Sequence, residues 1–93
     1  MFFKDMRLKN HPDTLTRIPG VGRSIARNLY DIGVYTIKDL KGKDPEILYE
    51  SSNVFAGKIQ DRCLLYVFRT AVYFAEGGRD TEKLKWWNWK NEL

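Results

Sequence analysis

Residues 15–29 read LTRIPGVGRSIARNL, and how that stretch folds decides the rest. At its centre Pro19-Gly20-Val21-Gly22 lets the chain reverse. The two glycines reach backbone angles that other residues resist, and the proline sets one φ and keeps the residue before it out of helical geometry. Beyond Gly22 the pattern is helical. Ile25, Ala26, Leu29 and Ile32 fall on one side, with Arg23, Ser24, Arg27, Asn28 and Asp31 on the other. Leu15 and Ile18 precede the turn at helical spacing. The expected local structure is helix, tight hairpin, helix. A helix start presents unpaired N–H groups and the positive end of the helix dipole, and glycine lets an anion approach them closely.

Working outward, 93 residues with 43% hydrophobic content make one domain with a modest core. No apolar run is long enough to span a membrane, and the start, MFFKDMRLKN, lacks the layout of a signal peptide. A single cysteine, Cys63, permits no internal disulfide and fits a reducing compartment, so a cytoplasmic location is expected. Charge is uneven. Residues 1–43 hold nine Lys/Arg and four Asp/Glu, a balance of +5, and residues 44–93 hold seven and eight, a balance of −1. The basic excess lies in the half that carries the hairpin, as expected of a chain that meets a polyanion.

Taken in order, residues 1–11 read as an N-terminal extension and 12–93 as a single domain. His11 has no second ligand near it and reads as a loop residue. The first helix starts at Pro12 to Thr14 and runs to about Ile18, and the second spans about Arg23 to Ile32 before Gly33. Thr36 caps a short third helix, Ile37–Lys41. Asp44-Pro45-Glu46 is a strong start for a fourth, which Ser51-Ser52-Asn53 should weaken. Val54–Ile59, with one glycine, reads as a degenerate second hairpin without phosphate binding. The helix after Asp61, reaching about Ala75, is apolar around most of its circumference and should be the central core element, with Cys63 as a small core residue. Gly77-Gly78 closes it. A last helix, capped by Asp80 or Thr81, carries LKWWNWK, with Leu84 and Trp87 on one side and Trp86 and Trp89 on the other.

The 15–29 stretch resembles a helix-hairpin-helix motif: Leu15, Ile18, Gly20, Val21, Gly22, Ala26 and Leu29 occupy all of its pattern positions. With the DPE helix start, QDRCLLYVFR and KWWNWK, the chain from about Leu15 to Lys90 is similar to a family of small bacterial helix-hairpin-helix proteins named for a pathogenicity locus. The resemblance implies an all-α, compact five-helix helix-hairpin-helix (SAM-like) domain. In the superfamily, hairpin N–H groups hold a phosphate of the DNA backbone, usually without reading sequence.

No catalytic constellation is present: no Ser-His-Asp set, no metal-spaced His or Cys cluster, no nucleotide-hydrolysing phosphate loop. The expectation is a non-enzymatic module without metal or cofactor that grips nucleic acid, chiefly duplex DNA, by its backbone. Gly20, Val21 and Gly22 would supply N–H groups, Arg23 and Arg27 charge, and Ser24 a hydroxyl donor. Arg17, Lys38 and Lys41 would extend the patch. One hairpin alone binds weakly, so a homodimer or a protein partner would add affinity. The rival expectation is a protein-interaction or scaffold domain that keeps the hairpin as architecture and uses the Trp-rich tail, Trp86 and Trp89, as its contact surface. The two diverge at Arg23 and Arg27: free at the surface for binding, or paired with Asp31, Asp39 or Glu50.

Overall fold

In the computed structural model, residues 14–90 are described. The expectations for the 1–11 extension, for His11 and for a helix start at Pro12 or Asp13 lie outside them.

The described residues form an all-α arrangement without strands: α1 Arg23–Asp31, α2 Pro45–Ala56 and α3 Cys63–Ala75, with 3-10 turns at Lys38–Leu40 and Trp86–Trp89. This corrects the expectation of five helices. The segment 37–41 makes one 3-10 turn, held at its start by a reciprocal capping pair and ended by extended Lys41 and left-handed Gly42 at φ +76. Asp39 Oδ2 accepts from the Tyr35 and Thr36 N–H groups at 3.0 and 3.1 Å, and Thr36 Oγ1 accepts from Asp39 N–H at 3.2 Å. The tail is no helix either. Its side chains compete with helical pairing for the backbone: Asn88 Nδ2 donates to the Glu82 carbonyl at 2.8 Å and Trp89 Nε1 to the Lys83 carbonyl at 2.6 Å. The segment before the hairpin is helical at Thr14–Leu15 and then tightens. Arg17, Ile18 and Val21 N–H groups donate to the carbonyls three residues back.

α3 is the centre. α2, the 38–40 turn and the tail pack on it, and α1 packs on α2. Phe68, Leu65 and Ala71 of α3 are fully buried, together with Leu15, Ile18, Leu29 and Leu40. Thr70, also buried, satisfies its hydroxyl on the Tyr66 carbonyl one turn back. Every apolar position of the 15–29 pattern, Leu15, Ile18, Val21, Ala26 and Leu29, lies in this core. Burying the larger of these, Leu15, Ile18, Val21 and Leu29, stabilises by about 1.5–3 kcal/mol each, so the pattern has an architectural role whatever else it does.

The three helices end alike. Gly33, Gly57 and Gly77 each donate back to the carbonyl three residues earlier, and the following N–H reaches the carbonyl five residues back. At the start of α2, Asp44 accepts from Glu46 N–H at 2.9 Å, with Pro45 in the first turn. Ser51-Ser52-Asn53 does not weaken α2. Ser52 is buried, and its Oγ accepts from Gln60 Nε2 at 2.9 Å, while Asn53 Oδ1 accepts from Gln60 N–H at 2.9 Å. The polar residues thus anchor the link to α3. The stretch 54–59 divides between the last turn of α2 and that link.

Arg69 ties the tail down. From α3 it donates to the Trp89 carbonyl at 2.6 Å and to Glu46 at 2.9 Å, and its side chain is 11% exposed. Arg62 lies over the Tyr49 ring. Gly78 lies under Tyr73, whose hydroxyl accepts from Asp80 N–H; a Cβ on Gly78 would stand 2.2 Å from the ring.

Candidate functional site

α1 begins at Arg23 with Gly22 as its cap residue, and neither a capping side chain nor an acid occupies its first turn. Val21 N–H is committed to the Ile18 carbonyl at 3.0 Å and its side chain is buried, so Val21 offers no donor to a ligand. Among the described residues no acceptor faces the N–H groups of Gly22, Arg23, Ser24 and Ile25. These are the orphan donors of a helix start.

The two hairpin glycines differ. Gly20 has φ +88, a left-handed angle that side chains resist, and a Cβ there would stand 3.1 Å from Trp86 Cδ1. The fold requires this glycine twice over. Gly22 has φ −89 and ψ −173, extended backbone open to any residue. A Cβ there meets nothing within 4 Å. The hairpin's own geometry and packing make no demand for glycine at position 22.

Arg17, Arg23, Ser24 and Arg27 are exposed. Among the described residues the ion pairs are Arg69–Glu46 and Lys85–Glu82. Arg23 and Arg27 therefore pair with none of Asp31, Asp39 or Glu50, and Asp39 caps its own turn instead. Lys38 and Lys41 are exposed on the 38–40 turn. That corner is tied to the far end of α3, where Gly42 N–H donates to Glu76 at 3.0 Å.

The tail meets the hairpin, which the linear sequence does not announce. Trp86 is half-buried over Gly20, and Trp87 stands edge-on to it with ring centroids 5.7 Å apart. Trp89 is half-buried against Tyr73, 5.7 Å between centroids. Trp87 is the outward tryptophan, 51% exposed. A 3-10 turn sets this pattern, since residues three apart share a face; Trp86 and Trp89 go in together and Trp87 goes out.

Between the hairpin, the link into α3 and Trp86 lies a cleft of about 530 Å³, lined among others by Gly20, Asn28, Ile59, Cys63 and Leu64. Cys63 is exposed at this cleft and not a core residue. The nearby Asp61 carboxylate, through hydrogen bonding and charge, pushes its thiol pKa up. Asp61 is itself held below the usual carboxylate range by the Cys63 N–H, which it accepts at 2.8 Å. A thiol so placed is a weak nucleophile at neutral pH. Among the described residues no group of three or more His, Cys, Asp or Glu could hold a metal, and no helix is long and apolar enough to cross a membrane.

Fold and surface thus define a small all-α protein with an open helix start beside unpaired arginines. The family model described as Pathogenicity locus (Cdd1) matches residues 8–93, and the chain belongs to that family. It is 38% identical over 78 residues to a protein named "Mitomycin resistance protein McrB" from Streptomyces lavendulae, an alignment that covers 84% of this chain and 71% of that protein. No solved structure matches it.

Proposed function

We propose that this protein is a non-enzymatic module of the helix-hairpin-helix type that holds DNA, in the cytoplasm, by its phosphate backbone. The observation that carries the reading is Gly22. Its conformation and surroundings would accept a side chain, yet it carries none, so the N–H groups of Gly22 to Ile25 are left without a capping group from the protein itself. A phosphate at Gly22–Ile25 would meet those donors and the dipole of α1. Arg23 and Arg27, free of ion pairs, would neutralise the neighbouring phosphates, with Ser24 as a further donor. Contacts of this kind position a strand without reading its bases, so sequence preference is weak.

The test is anisotropy of a labelled random-sequence duplex at low and physiological salt. Expected is a Kd of about 10⁻⁴–10⁻⁶ M at physiological salt, with steep salt dependence. An Arg23→Glu/Arg27→Glu variant, shown by circular dichroism to be folded, should lose binding. Absence of binding at low salt overturns the reading, and binding that persists in the folded variant moves the site off α1.

A second reading, a protein-contact domain, has its own observation. Ile47 and Val54 lie two turns apart on α2 at 59% and 81% exposure, and Phe55 and Trp87 are also exposed. It takes over if no nucleic acid binds. The relative named for mitomycin resistance supplies a cellular assay for either reading: if the role is shared, expressing this chain raises survival of a sensitive host in mitomycin.

A further inference from the structure

The cleft beside the hairpin is unused by a backbone grip. Three observations bear on its occupant. First, it adjoins the proposed phosphate site: Gly20 and Ile25, on either side of Gly22–Ser24, both form part of its wall, and Gly20 lies two residues from Gly22, at most about 7.6 Å between Cα atoms. A nucleotide, which joins phosphate to base through one sugar, spans that gap. Second, its walls suit a planar heterocycle. The Trp86 indole and the aliphatic Ile25, Ile59 and Leu64 supply apolar surface, and its size, about 530 Å³, is that of a small-ligand site. Third, its rim carries amides that can meet a base edge. Asn28, half-buried, has no hydrogen-bond partner among the described residues, and Gln60 is fixed in place by its bonds to Ser52 and Asn53. Cation and acid at the rim, Lys58 and Asp61, balance in charge, while the unpaired arginines stand on the phosphate side. Arginine charge beside a mostly apolar, net-neutral open cleft with one indole matches the two ends of a nucleotide.

We propose that the cleft receives an unpaired base of the strand whose phosphate the hairpin holds, which makes frayed or single-stranded DNA the preferred ligand. The inference rests on the backbone-grip reading and adds to it a stacking site. Bases in an intact duplex are paired and stacked and cannot enter; an unpaired one can lie against Trp86.

Two labelled probes of equal length test this at low salt: an oligothymidine, and the same backbone built of abasic sites. Both offer phosphates, and one offers bases. The oligothymidine should bind about tenfold tighter, from stacking. Cys63, the single cysteine of the chain, lines the cleft. Alkylating it with N-ethylmaleimide places a neutral group there, which should abolish the excess and leave the abasic affinity unchanged, with the Cys63→Ser protein as reagent control. Independently of any variant, oligothymidine should slow the alkylation and the abasic strand should not. Equal affinity for the two probes overturns the cleft and leaves the backbone grip standing. An excess that survives alkylation, with no protection of Cys63, also overturns the cleft. Failure of both probes to bind overturns the grip itself, and the cleft with it.

Discussion

Replacing Gly20 and Gly22 in turn by alanine separates what the fold asks of the hairpin from what a ligand would ask. At Gly20 a side chain must take φ +88, at a cost of about 1–2 kcal/mol. Its Cβ also stands 3.1 Å from Trp86 Cδ1, so the indole must give by a few tenths of an ångström. Against this, alanine restricts the unfolded chain and returns about 0.4–1 kcal/mol. The balance is a loss of about 1–2 kcal/mol, or about 5–15 °C in Tm for a domain of this size. At Gly22 no angle and no neighbour objects. Alanine is the poorer cap residue by about 0.5–1 kcal/mol, and the same entropy gain of about 0.4–1 kcal/mol offsets it. Its Tm should therefore stay within about 4 °C of the parent protein. DNA affinity should fall about tenfold in Gly22→Ala, because a methyl group beside the Gly22 and Arg23 N–H groups would crowd a phosphate held there, and those donors bond best to charge. Thermal melting by circular dichroism, paired with anisotropy on the same samples, reads both quantities. If Gly22→Ala melts as low as Gly20→Ala, position 22 is architectural and the reasoning fails. If it is stable and binds DNA as the parent does, the glycine has no part in binding.

Arg69→Met should cost about 2–3 kcal/mol in urea unfolding, since it strips a charged donor from the Trp89 carbonyl as well as from Glu46, and it should shift the tryptophan emission as the tail loosens. Glu46→Gln should cost under about 1 kcal/mol, because that carboxylate is half exposed. The alkylation rate of Cys63 should rise with pH to a midpoint above the ordinary thiol value of about 8.5. Its proton is held by the neighbouring carboxylate, so Asp61→Asn should move the midpoint down; an unmoved profile would refute that coupling.

How much was legible in the chain follows from the range of the forces involved. Helix starts and stops are written within a few residues. Asp44-Pro45-Glu46 places the start of α2, and the glycines at 33, 57 and 77 place three ends. The apolar circumference of residues 63–75 marks the central helix, and the buried positions of LTRIPGVGRSIARNL follow its periodicity. Those signals are local hydrogen bonds and one-sided burial, and any window of fifteen residues contains them. The number of helices was not legible. Whether 37–41 and 80–90 extend into helix depends on side chains that seize the backbone, and on Arg69 reaching across from α3. Cys63 looked like core because its helix is apolar, but as the first residue of α3 it lines the cleft and is exposed, while Leu64 and Leu65 beside it are buried.

The amino-acid sequence by itself determined the all-α class, the core face of each long helix, and a turn able to present backbone donors. Only the tertiary structure decided which glycine the fold needs, which tryptophan faces out, and that the tail closes over the hairpin. The physical reason is distance along the chain. Trp86 meets Gly20 across more than sixty residues, and no local propensity records a contact that exists only once α3 has brought the two ends of the domain together.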